Sequence, residues 1–352
     1  MAVTTYEPLA SSDVTTTKTL LHESIPLTGT IVSGTYGTFP DDTNIKNYTH
    51  GMFQSVYDYP YLSSSANHIF DLTVGFNATS PLSGSTGVTM QSKKINMYNE
   101  FSQLLLGFTG SANTFRDFEL DLALDGVGTM KEAFFVNFSR LLYKDEIKKG
   151  TVSITLGTGS WATPFSDAVG STTKVLTDSN ASAIAGTLNT QGGNYGVLYD
   201  GDSVARGVVF YEAGIAIIGT GAFGTRTDFN SSSTPLYSYT VGQSLVTASI
   251  SSSCNAVRNR IQNISFNNTT EINSAIYFCR VPNNKYNYSA NPTYVSSSKI
   301  VVKNIASDTP VTYITTIGLY NANRELLAIA KLSEPLKKDP SNEITLRVRL
   351  DY

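Results

Sequence analysis

Residues 195–218, YGVLYDGDSVARGVVFYEAGIAII, carry three short apolar runs separated by Asp200-Gly201 and Ala213-Gly214. Runs this short, punctuated by turn-forming dipeptides, predict neighbouring antiparallel strands joined by tight turns. A meander of this kind leaves no room for the crossover helix that a parallel pair requires.

That constraint decides how the next stretch is read. In GIAIIGTGAFGTRTDFN, residues 214–230, Gly219, Gly221 and Gly224 fall at the spacing G-x-G-x-x-G, after the apolar run Ile215 to Ile218. A dinucleotide site also needs a helix whose N-terminal N–H groups receive the pyrophosphate, and an acid about 20 residues on for the ribose. The continuation TRTDFNSSSTPL has no helical stripe, Pro235 follows a serine run, and no acid stands at that distance. The glycines are therefore expected to mark a strand end and loop, with no cofactor. Gly157 and Gly159 in LGTGSW have the same reading.

The rest of the chain agrees with a β-rich fold. Thr, Ser, Asn, Gly, Tyr and Val are frequent, a composition suited to half-buried pleated surfaces and tight turns. AFFVNFSRLLYKD, GTVSITLGTG, INSAIYFCRV, KIVVKNI, VTYITTIGLYN and ELLAIAKLSEPL read as strands, with another near Ile69 to Val74. In the last run, Ile344, Leu346, Val348, Leu350 and Tyr352 alternate with Thr345, Arg347, Arg349 and Asp351. Residues 93–108 are the most helical, with Met97, Phe101, Leu104 and Leu105 on one face and Gly107 where a C-terminal cap belongs. CNAVRNRIQNISF holds a helical turn. The expected fold is mainly β, with two or more antiparallel sandwich or barrel-like modules, one or two short helices and an extended N-terminal arm. Its expected segments are an arm at 1–35, a mixed region at 36–128, a β module at 129–245 and a C-terminal sandwich at 246–352. The arm suits pairing along its own domain or with a neighbour's sheet edge.

Candidate chemistry is sparse. Phe118, Leu120, Leu122 and Leu124 alternate with Glu119, Asp121, Ala123 and Asp125, which predicts a strand entering a turn at Asp125-Gly126. The acids Glu119, Asp121 and Asp125 are of the type that binds a hard cation such as calcium, but alternate acids are what the wet face of a half-buried strand should look like, the EF-hand pattern is absent, and no metal is expected. Asp145 and Glu146 are adjacent, so on a strand they face opposite ways and do not form a hydrolytic pair. His22, His50 and His68 show no metal or catalytic spacing. Cys254 and Cys279 are too distant in sequence for a C-x-x-C site. No apolar run approaches the ~20 residues of a membrane span. The net charge of −3, with 15% charged residues, speaks against a groove for nucleic acid. Arg258, Arg260, Arg280, Arg324, Arg347 and Arg349 nevertheless make the last hundred residues locally basic.

Two tracts carry a resemblance. FFVNFSRLLYKDEIKKGTVSITLGTGS and IYFCRVPNNKYNYSANPTYVSSSKIVVKN, the latter continuing through PVTYITTIGLYNANRELLAIAKLSEPLKKD to TLRVRLDY, resemble a group of virion structural proteins of tailed bacteriophages. The likeness is to large marine and cyanobacterial phages with contractile tails, and it spans about the last two thirds of the chain. It implies a structural role in the virion, assembly with other virion proteins and with copies of itself, and no catalytic residues. A tail or baseplate position leads; a capsid-associated or neck protein, or a receptor- or glycan-binding module, are the alternatives. Neither membrane nor direct nucleic-acid contact is expected. Tyr and Arg are favoured at interface centres, so Tyr286, Tyr288, Pro292 and Tyr294 in YNYSANPTY, with Arg347 and Arg349, are the expected contact residues.

Overall fold

The computed structural model describes residues 6–28, 43–84, 88–109, 114–167, 170–181, 190–224, 229–230, 240–288, 295–296, 299–300, 307 and 309–352. Its first strands are β1 (Val14–Thr28), β2 (Ile45–Asn47), β3 (Gln54–Tyr57) and β4 (His68–Phe76), followed by helix α1 (Val88–Leu105). Then come a short pair, β5 (Phe118–Glu119) and β6 (Thr129–Met130), the strand β7 (Glu132–Phe138), one turn of helix α2 (Arg140–Tyr143) and β8 (Glu146–Ile147). Strands β9 (Ser153–Gly157), β10 (Thr173–Thr177), β11 (Tyr195–Tyr199), β12 (Ala205–Phe210) and β13 (Ile215–Gly219) lead to helices α3 (Val241–Thr247) and α4 (Ile250–Arg258). The chain closes with β14 (Ile261–Val281), β15 (Thr312–Tyr320), β16 (Leu326–Lys338) and β17 (Ile344–Asp351). The fold is mainly β and antiparallel, with a few short helices. No helix among the described residues is long and apolar enough to cross a membrane.

The chain forms two compact units, Leu21–Thr270 and Met1–Leu20 with Glu271–Tyr352. In the first, one sheet runs in the order β14-β9-β10-β11-β12-β13-β7-β4-β3-β2. The meander is as the turn signals predict: Gly207 to Phe210 pair with Ile218 to Ile215, and Ile215 to Gly219 pair with Asn137 to Ala133. The left-handed residue of the β11–β12 turn is Ser203 (φ 60°), and that of the β12–β13 turn is Gly214 (φ 67°). The boundary expected near residue 128 is bridged by pairing of β4 with β7, Phe70 opposite Phe138.

This sheet is covered on both faces, which explains why AFFVNF and IAII are apolar without alternation. Phe134, Val136, Phe138, Ala216 and Ile218 point to one core, where α4 adds Cys254, Ala256 and Val257. Ala133, Phe135, Ile215 and Ile217 point to the other, where α1 adds Tyr98 and Leu105. The sheet curls round the first core. Phe138 of β7 meets Phe266 of β14 with ring centroids 5.0 Å apart. β8 bridges the gap, its Ile147 N–H donating to Tyr211 O (2.9 Å) and the next N–H, of Lys148, to Asn267 O (2.8 Å).

Helix α1 ends as its sequence predicts. Gly107 has φ 77° and donates its N–H to Ser102 O at 3.0 Å, closing a Schellman-type cap. The buried stripe differs by one residue. Lys94, Tyr98 and Leu105 are buried and Phe101 is partly buried, while Leu104 is 60% exposed. At 100° per residue Leu104 lies about a quarter turn from that stripe. The helix approaches β4 so closely that a Cβ on Gly75 would meet Lys94 O and Tyr98 N at 2.8 Å.

In the second unit, β17 pairs along β14, Ile344 opposite Val281 through Asp351 opposite Ser274. Leu346 and Val348 are buried while Arg347 and Arg349 face solvent, the alternation read from the sequence. The N-terminal segment docks on its own chain. Glu7 pairs with Lys285 (2.5 Å), Asp13 with Arg280 (2.7 Å), and the Tyr6 ring meets Tyr320 edge-on at 5.0 Å. Strand β1 is hydrogen-bonded to β14, so one of its edges is already occupied.

Candidate functional site

The exposed ribbon of the second unit is built from β15 and β16, which pair with each other, Thr312 opposite Lys338 through Tyr320 opposite Leu326. Among the described residues neither strand pairs with a third. The hairpin turn is fixed by Asn321, whose Oδ1 accepts the Glu325 N–H (2.8 Å) and whose Nδ2 donates to Glu325 Oε2 (2.6 Å). Arg324 takes the left-handed conformation (φ 66°). Leu326 and Leu327 are 47% and 69% exposed, and they flank a bulge at which Tyr320 pairs with Leu326 and Leu319 with Ala328. The ribbon therefore presents large apolar side chains to solvent at its turn end. Tyr313, Tyr320, Ile329 and Leu336 extend the patch.

The predicted contact residues fall on two elements of this unit. Tyr286 and Tyr288 stand on the loop after β14. Lys338, itself buried, holds that loop by donating to Asn287 Oδ1 (2.6 Å), Asn283 O (3.3 Å) and Asp339 O (2.8 Å). The Tyr288 side chain is left 63% exposed, and Tyr286 adopts φ 56°. Arg347 and Arg349 are on β17, where Arg349 is tied to Asp351 Oδ1 (2.7 Å) and Ser274 Oγ (3.1 Å). Pro292 and Tyr294 lie outside the described residues. The ribbon leucines and Ile329 were not among the predicted residues. Their signal was the unbroken run LLAIA, which a ribbon covered on one face would have interrupted with polar residues.

Two of the six arginines of the C-terminal region are internal, and Arg280, Arg324, Arg347 and Arg349 are exposed. Arg260 is buried, donates to Phe229 O (2.7 Å), Ala256 O (2.9 Å) and Gly159 O (3.3 Å), and lies over the Phe229 ring at 4.4 Å. Arg258 is buried as well. The three histidines are dispersed: His22 beside Asn268 and Thr269, His50 stacked on Tyr48, His68 on Asp71 at 2.8 Å. Both cysteines are free thiols. The G-x-G-x-x-G glycines begin at the last residue of a strand flanked antiparallel on both sides, and among the described residues the element that follows it directly is a 3-10 turn, Thr220–Phe223. The geometry of a dinucleotide site is missing there.

The acidic row departs from its expected form. The strand stops at Glu119, and residues 120–128 form a loop, with Leu124, Gly126 and Gly128 at φ 53°, 89° and 68°. The leucines of the alternating pattern, Leu120, Leu122 and Leu124, pack against the second core. That anchorage, rather than a strand, explains their spacing. The loop folds Glu119, Asp121 and Asp125 together, with one oxygen of each within 4.8 Å of the others. Glu119 Oε1 accepts the Gly126 N–H (3.0 Å), Asp121 Oδ1 that of Ala123 (2.9 Å) and Asp125 Oδ1 that of Val127 (2.9 Å). Burial pushes the Glu119 carboxyl up from its ordinary value; the N–H groups of Gly126 and Asp125 oppose this, while Asp121 and Asp125 push the same way.

No protein-family model, no curated protein and no solved structure matches the chain.

Proposed function

We propose that this protein is a structural component of a bacteriophage virion, a tail or baseplate element, that acts by docking its exposed ribbon against other protein chains. The observation that carries the docking role is the exposure of Leu326, Leu327 and Ile329 together on one ribbon. A two-stranded ribbon is marginal in water unless an apolar face packs on something, and contiguous exposed apolar surface marks an interaction site. The virion assignment rests on the resemblance of residues 134–160 and 276–352 to phage structural proteins. The tyrosines at 286 and 288 add aromatic contact surface in the same unit.

The test is the double variant Leu327→Asp/Ile329→Asp, produced during phage growth in place of the wild-type chain. Both side chains are exposed, so the isolated variant keeps the wild-type circular dichroism. Its copy number in purified particles is expected to fall about tenfold or more, the effect of losing central apolar contacts worth about 1.4 kcal/mol or more. Wild-type copy number in normal particles would reject the ribbon as the docking surface.

A further inference from the structure

We propose that the hairpin of residues 119–129 is a binding site for a hard divalent cation, calcium by size, with Glu119, Asp121 and Asp125 as its protein ligands. The proposal is independent of the ribbon and of any assembly partner.

Three observations converge. The first is separation. Two ligands on opposite sides of a calcium ion are at most about 4.8 Å apart, twice a Ca–O distance of about 2.4 Å. The three carboxylates each offer an oxygen within 4.8 Å of the others, so no two of them are too far apart to share one ion. The second is an unanswered buried acceptor. Glu119 is 6% exposed, and its Oε2 is buried with no hydrogen-bond partner. A buried carboxylate oxygen with no donor loses its hydration without replacement, and a cation supplies what is missing. The third is that no other charge answers the cluster. Arg116 and Lys131 line the same cleft of about 430 Å³, yet neither forms an ion pair with Glu119, Asp121 or Asp125 among the described residues.

Each acid accepts a loop N–H through one oxygen, Glu119 from Gly126, Asp121 from Ala123 and Asp125 from Val127, which fixes the three carboxylates on the loop. Gly128 takes the left-handed conformation (φ 68°) that returns the loop to β6. Tyr195 braces the loop from the core, its hydroxyl donating to Asp121 O at 3.1 Å. The three assigned ligands are all carboxylates, with no imidazole or thiolate among them, which favours calcium over zinc or copper. Water completes the coordination sphere on the solvent side, where Asp125 is exposed.

The experiment uses the full chain, stripped with a chelator, titrated with calcium chloride by calorimetry and melted with and without the ion. One ion per chain is expected, with a dissociation constant of about 10⁻⁴ M or tighter, and magnesium binds more weakly. Terbium bound in place of calcium is expected to luminesce on tyrosine excitation through Tyr195, and calcium displaces it. Asp125→Asn keeps the bond to Val127 N–H and loses affinity at least tenfold. Glu119→Gln loses it as well, and it raises the melting temperature of the ion-free chain by removing a charge from the cluster. The absence of a calcium-dependent heat and melting shift in the wild type would overturn the site. Equal affinity for magnesium would overturn the assignment to calcium. Glu119→Gln melting lower than wild type, by the same amount with and without calcium, would make Glu119 a structural residue and overturn its role as ligand.

Discussion

Lys94 and Cys254 face each other in the first unit, and their burial has opposite consequences for stability above pH 8. The Lys94 ammonium is fully buried and donates to Leu245 O and to Ala248 O (2.6 Å) at the end of α3. Cys254 is fully buried on α4, with Sγ 3.3 Å from Leu72 O. Burial pushes Lys94 down to about 8 and pushes the Cys254 thiol up. An unfolded lysine titrates near about 10.4 and an unfolded cysteine near about 8.5. Between pH 8.5 and 9.5, then, unfolded Lys94 holds a proton that folded Lys94 has lost. The unfolded state binds more protons at this group, so its contribution to stability rises with pH. Folded Cys254 keeps a proton that the unfolded thiol releases, and its contribution falls with pH. A full proton difference is worth about 1.4 kcal/mol per pH unit; partial titration reduces each slope to about 1 kcal/mol per pH unit. In the wild type the two nearly cancel. Lys94→Met leaves the cysteine slope, so its stability relative to wild type falls by about 1 kcal/mol from pH 8.5 to 9.5. Cys254→Ala leaves the lysine slope and gains a similar amount. Urea unfolding followed by the fluorescence of Trp161, the single tryptophan, which packs against the same core, measures both. Other titrating groups cancel in the comparison with wild type. If both variants keep the wild-type pH dependence, the burial argument for this pair is refuted.

The curl of the sheet makes Phe138→Ala costly, because Phe138 touches both Phe70 on its own sheet neighbour and Phe266 across the core. A loss of about 3–5 kcal/mol in urea unfolding is expected, and a loss under about 1 kcal/mol would contradict the closure of the core at β14. In the β11–β12 turn burial acts to raise the Asp200 carboxyl, but Arg206, Lys174 and the Val204 N–H together hold it well below the usual carboxylate range. A lowered folded value gives stability that is present above the unfolded pKa and is lost as pH falls toward the folded one. Asp200→Asn is therefore less stable than wild type at pH 7, and the gap narrows as pH drops below 4; a gap constant with pH would show that the charge of Asp200 is not what fixes the turn.

Much of the fold was legible because its signals are local. The meander of β11 to β13 follows from turn dipeptides, and the end of α1 from Gly107. The capping box at α3, Thr240 with Gln243, is a local signal of the same kind. Residues 118–124 misled for a physical reason: leucines at every second position serve a strand's inner face and a loop anchored on a core equally well. The convergence of Glu119, Asp121 and Asp125 depends on the left-handed backbone at Leu124 and Gly126, which no periodicity encodes. The ribbon was missed because exposure of Leu326 and Leu327 follows from the lack of a third layer over β15 and β16, a property of the whole unit.

Imaging the intact particle at side-chain resolution is the most direct test. Density from another chain is expected against the β15–β16 ribbon, covering Leu326, Leu327 and Ile329. A ribbon standing in solvent on both faces in the mature particle, or a chain missing from the particle altogether, would contradict the assembly role.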